Sequence, residues 1–456
     1  MTYTHTVARL GTEITRCEGE VHGRQSAGFG RRGLLTLGAA ATLQACASVP
    51  DADDYLPPAT DDPLQLHYAL QVSLPESPLV FGNRTSLLRN GAQTFPAMFA
   101  ALTAARDHIN LEYFVVEDIE SGGRRLSELL QGKLAQGVAV NIIYDAYGSL
   151  NTASSLFDQL RQAGAAVVEF NPLDPISALA GHSPNDRDHR KIMVVDGRIG
   201  FLGGINLARC YENPPSAGVP ADGDMGKAYW RDSAIEIRGP AVARLQTLFF
   251  ETWKQQKGGS YASASYFPPL PREGVQTIRI IGSTPGDNQP LYYLALERAL
   301  RAAQHRIWLS SGYFVPPHQE REDLSKAARR GVDLQIVVPS HSDVESAVYA
   351  ARATYGDLLK DGAHIYEMQN AVLHSKLATV DGVWTAIGSS NLDRRSVVFN
   401  NEVDAIILGT DTASQVEAVL RQDVAESHEV SRERWEHRPL NERVNELKAR
   451  VWDYWM

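Results

Sequence analysis

The stretch His189-Arg190-Lys191-Ile192-Met193-Val194-Val195-Asp196, followed by Gly203 and Asn206, returns as His374-Ser375-Lys376-Leu377-Ala378-Thr379-Val380-Asp381, followed by Gly388 and Asn391. His, Lys, Asp, Gly and Asn recur at a single offset of 185 residues. One match to H-x-K-x4-D arises by accident in roughly 5% of chains this long, at about 1/20 per residue type. Agreement at five positions in two copies does not arise that way. The chain carries a duplicated site, and its fold must place the two copies in equivalent surroundings.

The flanking pattern repeats too. In the first half, a helix through Phe95, Met98, Phe99 and Leu102 precedes an alternating strand, Ile109 to Val115. A helix through Leu126, Leu129, Leu130 and Leu134 then closes at Gly137, before the apolar strand Val138 to Asp145. A third helix ends at Gly164, and Ala166 to Phe170 is the next strand. The second half runs in the same order: helix Leu291 to Ala303, strand from Arg306, helix Asp323 to Arg330, strand Val332 to Val338, a helix ending at Gly362, and strand His364 to Glu367. Glu112-Tyr113-Phe114-Val115 reads as the counterpart of Gly312-Tyr313-Phe314-Val315. The expectation is two homologous α/β halves, residues 79–257 and 272–456, joined by a Gly/Ser/Pro-rich linker, 258–271.

Composition narrows the function. With 456 residues, 43% hydrophobic and 21% charged, the chain is globular and long enough for two or three domains. A net charge of −10 argues against a dedicated nucleic-acid binder, although Arg187, Arg190 and Lys191 form a basic cluster beside the first motif. Three cysteines, Cys17, Cys46 and Cys210, make neither a disulfide scaffold nor a zinc-binding spacing.

The first 46 residues read as an export segment. Arg31-Arg32 precedes the apolar run Leu34 to Ala41, and Leu43-Gln44-Ala45-Cys46 follows, resembling a bacterial lipoprotein signal with Cys46 as the lipidated residue. The alternative is a plain N-terminal extension. Residues 47–78, rich in Pro and Asp, read as a flexible tether. Cys210 would be an unpaired structural thiol. The charged, helical C-terminus bears Trp435, Trp452, Tyr454 and Trp455, which suit packing on the domain or contact with a membrane surface.

Residues i and i+2 of a strand share a face, so His189 projects with Lys191 and His374 with Lys376, while Ile192, Val194, Leu377 and Thr379 point the other way. Asp196-Gly197 and Asp381-Gly382 are hairpin-turn signals. For both aspartates a turn-and-support role and a direct catalytic role stand open. If the halves pack about a pseudo-twofold axis, two imidazoles, two ammonium groups and the amides of Asn206 and Asn391 converge on one cationic cleft. Such a cleft suits a phosphodiester. One imidazole attacks phosphorus, the other protonates the leaving alcohol, and the lysines and asparagines hold the non-bridging oxygens. This chemistry requires neither metal nor cofactor.

These motifs resemble the signature of the phospholipase D superfamily, two H-x-K-x4-D motifs each followed by Gly and Asn, over nearly everything from Ser86 to Met456. Leu111-Glu112-Tyr113-Phe114, Tyr144 to Ser149, Trp230-Arg231-Asp232, Gly239-Pro240-Ala241-Val242 and Gly312 to Pro316 make the bacterial cardiolipin synthase group the nearest likeness. The resemblance implies phospholipase D-type α/β sandwich halves packed with pseudo-twofold symmetry around one active site. It implies His189 as nucleophile and His374 as general acid/base, with the reverse assignment also open. Lys191, Lys376, Asn206, Asn391 and Ser389 would bind phosphate, and Glu402 and Asp232 would orient the histidines. Gly204 stands where the family's first motif has Ser, so one hydroxyl contact is lost there. The implied reaction is phosphatidyl transfer at the cell envelope to a second phosphatidylglycerol or to phosphatidylethanolamine. Hydrolysis to phosphatidic acid is the first alternative. A nuclease-type phosphodiesterase or a non-catalytic lipid-binding protein is a more distant one.

Overall fold

A computed structural model describes residues 60–74, 77–174, 183–287, 290–439 and 443. Cys46, and the C-terminal Trp452, Tyr454 and Trp455, lie outside them.

The strands of the two halves follow one order. From its outer edge, the first half runs Ala166–Phe170, Ala139–Asp145, His108–Tyr113, Lys191–Val195, Ile199–Gly203, Ser233–Arg238, Val80–Arg89. The second runs His364–Met368, Asp333–Pro339, Arg306–Ser311, Lys376–Val380, Trp384–Gly388, Asn400–Leu408, Gln276–Ser283, with Ser427–Glu429 added at its edge. In each half the three outermost strands of this shared order pair in parallel, and the rest form an antiparallel meander. Val80–Arg89 pairs antiparallel with Gln276–Ser283, which joins the two halves into one sheet.

Alternation along the motif strands sorts their side chains as expected. Met193 and Val195 enter the core under the first half's helices, and Ala378 and Val380 enter that of the second. Ile192, Val194 and Leu377 turn the other way into a shared core with Leu202, Ile235, Ile387, Val403 and Ile407 from both halves. Each such buried aliphatic side chain is worth about 1.5–3 kcal/mol, so this seam holds the halves together.

Three expectations need correction. The stretch read as a tether contains a helix, Pro63–Val72, with Leu66, His67, Leu70 and Gln71 buried. Asp62 caps it by accepting from the Leu64 N–H at 2.9 Å, and Pro63 sits at its first turn, a start signal that the Pro/Asp-rich composition concealed. Second, Tyr113 pairs with Lys191 and Ser311 with Lys376, so Phe114 corresponds to Gly312 and Val115 to Tyr313, two residues out of step with the sequence reading. A slip of two preserves which face each side chain takes, so alternation cannot detect it. Third, the basic cluster of Arg187, Arg190 and Lys191 beside the first motif is buried, with Arg187 at the wall of an internal cleft.

Trp435 packs on Tyr355, with ring centroids 5.1 Å apart. Residues 258–271 contain no helix or strand but are packed, with Tyr266 4.6 Å from the His108 ring. Among the described residues no helix is long and apolar enough to cross a membrane.

Candidate active site

Two short parallel strand pairs cross between the halves. Arg187–Asp188 runs beside Asn400–Asn401, and the His189 N–H donates to the Asn401 carbonyl at 2.9 Å. Trp230–Arg231 runs beside Val372–Leu373, and the His374 N–H donates to the Arg231 carbonyl at 2.8 Å. One residue further on, each pair sets a histidine of one half against a carboxylate of the other. His189 Nδ1 lies 3.0 Å from both Glu402 oxygens, and His374 Nδ1 lies 2.8 Å from Asp232 Oδ2. The imidazole centroids are 6.4 Å apart, with the rings at 80°. Both rings line one cleft of about 740 Å³ and expose only an edge to it, with side chains 11% and 7% accessible. With Nδ1–H given to a carboxylate, Nε2 of each ring is the atom left for chemistry.

The two carboxylates have different supports. In the second half the Ser389 hydroxyl donates to Glu402 Oε2 at 2.5 Å and accepts from the Val403 N–H at 2.9 Å. Ser389 thus braces the carboxylate from behind and does not face the cleft as a phosphate ligand, correcting its expected role. In the first half Gly204 has no hydroxyl to offer, and a Cβ there would overlap Asp232 Oδ1. Tyr211 supplies the missing contact, its hydroxyl donating to Asp232 Oδ2 at 3.1 Å while lying 3.1 Å from His374 Nδ1. No sequence signal marked Tyr211, which sits in a short 3-10 turn, Arg209–Glu212, present in the first half. Arg190 ties its strand to the second half, donating to the Glu402 carbonyl at 3.0 Å and to the Ser283 carbonyl at 2.9 Å, and within its own half it donates to Thr252 at 2.9 Å.

The electrostatics are asymmetric. Burial lifts the Glu402 carboxyl to about 7, against the pull of Lys191 and Ser389. Burial also opposes ionisation of Asp232, but the hydrogen bond and charge of His374, together with Lys376, leave it below the ordinary carboxylate value. Burial, then the charges of Lys191 and Lys376, hold His189 well below the usual imidazole value. His374 is lowered by burial and Lys376, with Asp232 pulling the other way. Burial brings Lys191 down to about 7 and Lys376 to about 8.

Each lysine is anchored by its own histidine's backbone: Lys191 Nζ donates to the His189 carbonyl and Lys376 Nζ to that of His374, both at 2.6 Å. Asn206 and Asn391 line the cleft. The Asn206 Oδ1 accepts from the Val115 N–H at 3.2 Å, which leaves its NH2 free to donate, and Asn391 Oδ1 has no protein partner among the described residues. Phe114 lies 5.3 Å from the His189 ring, and Lys191 Nζ 5.3 Å from that of Phe114.

Asp196 and Asp381 are not in this cleft. Each sits at the far end of its strand, at φ 52°, ahead of a positive-φ glycine. Asp196 accepts from the N–H groups of Arg106, Asp107 and His108, and Asp381 from those of Gln304, His305 and Arg306. They pin the loop before the next strand, which corrects their inclusion among the catalytic residues. Cys210 lines the cleft as a free thiol. Among the described residues no group of three or more His, Cys, Asp or Glu is arranged to hold a metal ion.

A family model described as "Cardiolipin synthase, PLD-like domain" matches residues 296–424. A cardiolipin synthase of Geobacillus thermodenitrificans is 32% identical over 404 residues, covering 88% of this chain and 78% of that protein. Cardiolipin synthase A of Pseudomonas aeruginosa is 36% identical over 389 residues, covering 83% and 74%. Among solved structures, the phosphatidylserine synthase of Haemophilus influenzae superimposes with a TM-score of 0.59 at 12% identity, covering 85% of this chain and 97% of that one, a likeness of fold.

Proposed function

Because the chain belongs to the cardiolipin synthase family of the phospholipase D superfamily, we propose that it is a phosphatidyltransferase that forms cardiolipin through a phosphohistidine. The observation that supports this best is the crossed clamp, in which each imidazole is held at Nδ1 by the other half's carboxylate and both rings line one cleft. His189 is the nucleophile. The positive surroundings and the high carboxyl value of Glu402 favour a neutral ring with a free Nε2 lone pair. His374, beside the ionised Asp232, is the better proton carrier.

In the first step Nε2 of His189 bonds to phosphorus, the bond to the leaving alcohol breaks, and Nε2–H of His374 protonates the departing oxygen. In the second step the acceptor hydroxyl gives its proton to His374 Nε2, its oxygen attacks phosphorus, and the phosphorus–His189 bond breaks. Lys191, Lys376, Asn206 and Asn391 hold the non-bridging oxygens as charge develops. Water in place of the alcohol gives phosphatidic acid, and the same cleft serves both outcomes.

Purified protein incubated with phosphatidylglycerol vesicles, with and without phosphatidylethanolamine, tests the reading by product mass. Cardiolipin is expected; phosphatidic acid alone would replace transfer with hydrolysis. Anchoring at the cell envelope through lipidated Cys46 belongs to the same proposal. A palmitate analogue should label wild type and not Cys46→Ser, and unlabelled wild type removes the anchor.

A further inference from the structure

The cleft is charged unevenly. Beside His189 stand Arg187, two residues before it, and Arg395, whose guanidinium donates to the side chain and carbonyl of Asn185, each at 2.9 Å. Beside His374 no arginine lines the cleft among the described residues, and the Lys376 ammonium is turned onto the His374 carbonyl. There the Tyr313 ring lies 5.9 Å from His374, and its hydroxyl donates to Asp343 Oδ1 at 2.8 Å. The Ser342 hydroxyl reaches the same oxygen at 3.1 Å. Asp343 Oδ2 has no protein partner among the described residues, and the residue is exposed at the cleft wall.

Local structure does not account for that second oxygen. The helix Glu345–Asp361 begins at Val344 without a side-chain cap, and the Val344 N–H is taken by Ser342 Oγ at 3.1 Å. A carboxylate at the wall of a cleft for anionic phosphodiesters repels them unless a bound group donates a hydrogen bond to it. A phosphate oxygen cannot donate. A hydroxyl or ammonium next to the reacting hydroxyl can.

We propose that Asp343, oriented by Tyr313, recognises the acceptor headgroup by accepting a hydrogen bond from a second donor adjacent to the hydroxyl that reacts. The inference rests on the transfer reading, in which His374 takes the acceptor's proton and therefore has the acceptor beside it. The ligand class is an alcohol with a neighbouring O–H or N–H, namely the vicinal diol of a glycerol headgroup or the ammonium of ethanolamine. Asp343 exchanges no proton in the reaction; it is a specificity residue.

The test supplies 1-propanol, 1,2-propanediol and ethanolamine at equal concentration to the full chain with phosphatidylglycerol as donor. The ratio between transfer products is read by mass within each variant, so a general loss of activity does not move it. Wild type should favour an acceptor with a second donor over 1-propanol by on the order of tenfold, the worth of one charge-assisted hydrogen bond. Asp343→Ala should abolish that preference, and Tyr313→Phe should weaken it. A lost preference for the diol assigns the polyol, and one for ethanolamine assigns the ammonium. Transfer with the same ratio in wild type and Asp343→Ala overturns the assignment to Asp343. Phosphatidic acid alone from wild type with every acceptor overturns the transfer reading, and the inference with it.

Discussion

Nδ1 of His374 donates to Oδ2 of Asp232 across 2.8 Å, although 142 residues separate them and they belong to opposite halves. The reciprocal contact joins His189 to Glu402 across 213 residues. Each half supplies the imidazole for one histidine–carboxylate pair and the carboxylate for the other, so neither half holds a complete pair.

The two carboxylates should not be equal in kinetics. Asp232 is ionised and carries the charge that favours a protonated His374, whereas burial keeps Glu402 near 7. Asp232→Asn should lower kcat by about 10²–10⁴, the range for general acid–base catalysis, and Glu402→Gln by less. Rapid-quench trapping checks the roles. With an activated aryl leaving group, His374→Ala should still accumulate labelled phosphohistidine and His189→Ala should not; label retained in His189→Ala would reverse the assignment.

Tyr211 takes over a duty that Ser389 performs in the other half. Tyr211→Phe removes one hydrogen bond to an ionised carboxylate and should cost kcat about tenfold. Gly204→Ser should not rescue that loss, because its Cβ collides with Asp232. Recovery of activity in the Tyr211→Phe/Gly204→Ser double variant would show that the close approach of Asp232 to Gly204 is not binding on the site.

Asp381 should matter to stability more than to turnover. Burial would raise its carboxyl, but His67 and the N–H groups of Gln304, Arg306 and His305 bring it down to about 2. That lies below the unfolded value near 3.9, so its stabilisation is complete above about pH 4 and is lost as pH falls toward 2. Asp381→Ala strands part-buried backbone donors at a cost on the order of 1–3 kcal/mol, visible as a lower Tm at pH 7 and a smaller difference from wild type in acid. An unchanged Tm with abolished turnover would return Asp381 to the chemistry.

Activity should fall on the alkaline side. Lys191 at about 7 and Lys376 at about 8 carry charge below those values and lose it above them. An anionic phosphodiester needs that charge, so kcat/KM, which reports the free enzyme, should decline as pH rises through about 7 to 8. A flat profile to pH 10 would mean that the ammonium groups do not bind the substrate in that form.

Much of this was legible in one dimension because it depends on neighbours along the chain. The five-residue repeat specified a duplicated site, strand alternation put Ile192, Val194 and Leu377 opposite the lysines, and Asp-Gly pairs marked the two turns. Other features depend on how the halves meet, and no local pattern encodes that. The exchange of carboxylates, the turn of Ser389 toward Glu402 and the use of Tyr211 where Gly204 leaves a gap all follow from two cross-half strand pairs. The two-residue slip between the halves was invisible for a related reason: strands repeat every two residues, and only the hydrogen-bonded partner of Lys191 or Lys376 shows which pair of residues is in step. The residues of the two histidine–carboxylate pairs were thus written in the chain, but which carboxylate holds which histidine was decided by packing between surfaces more than a hundred residues apart.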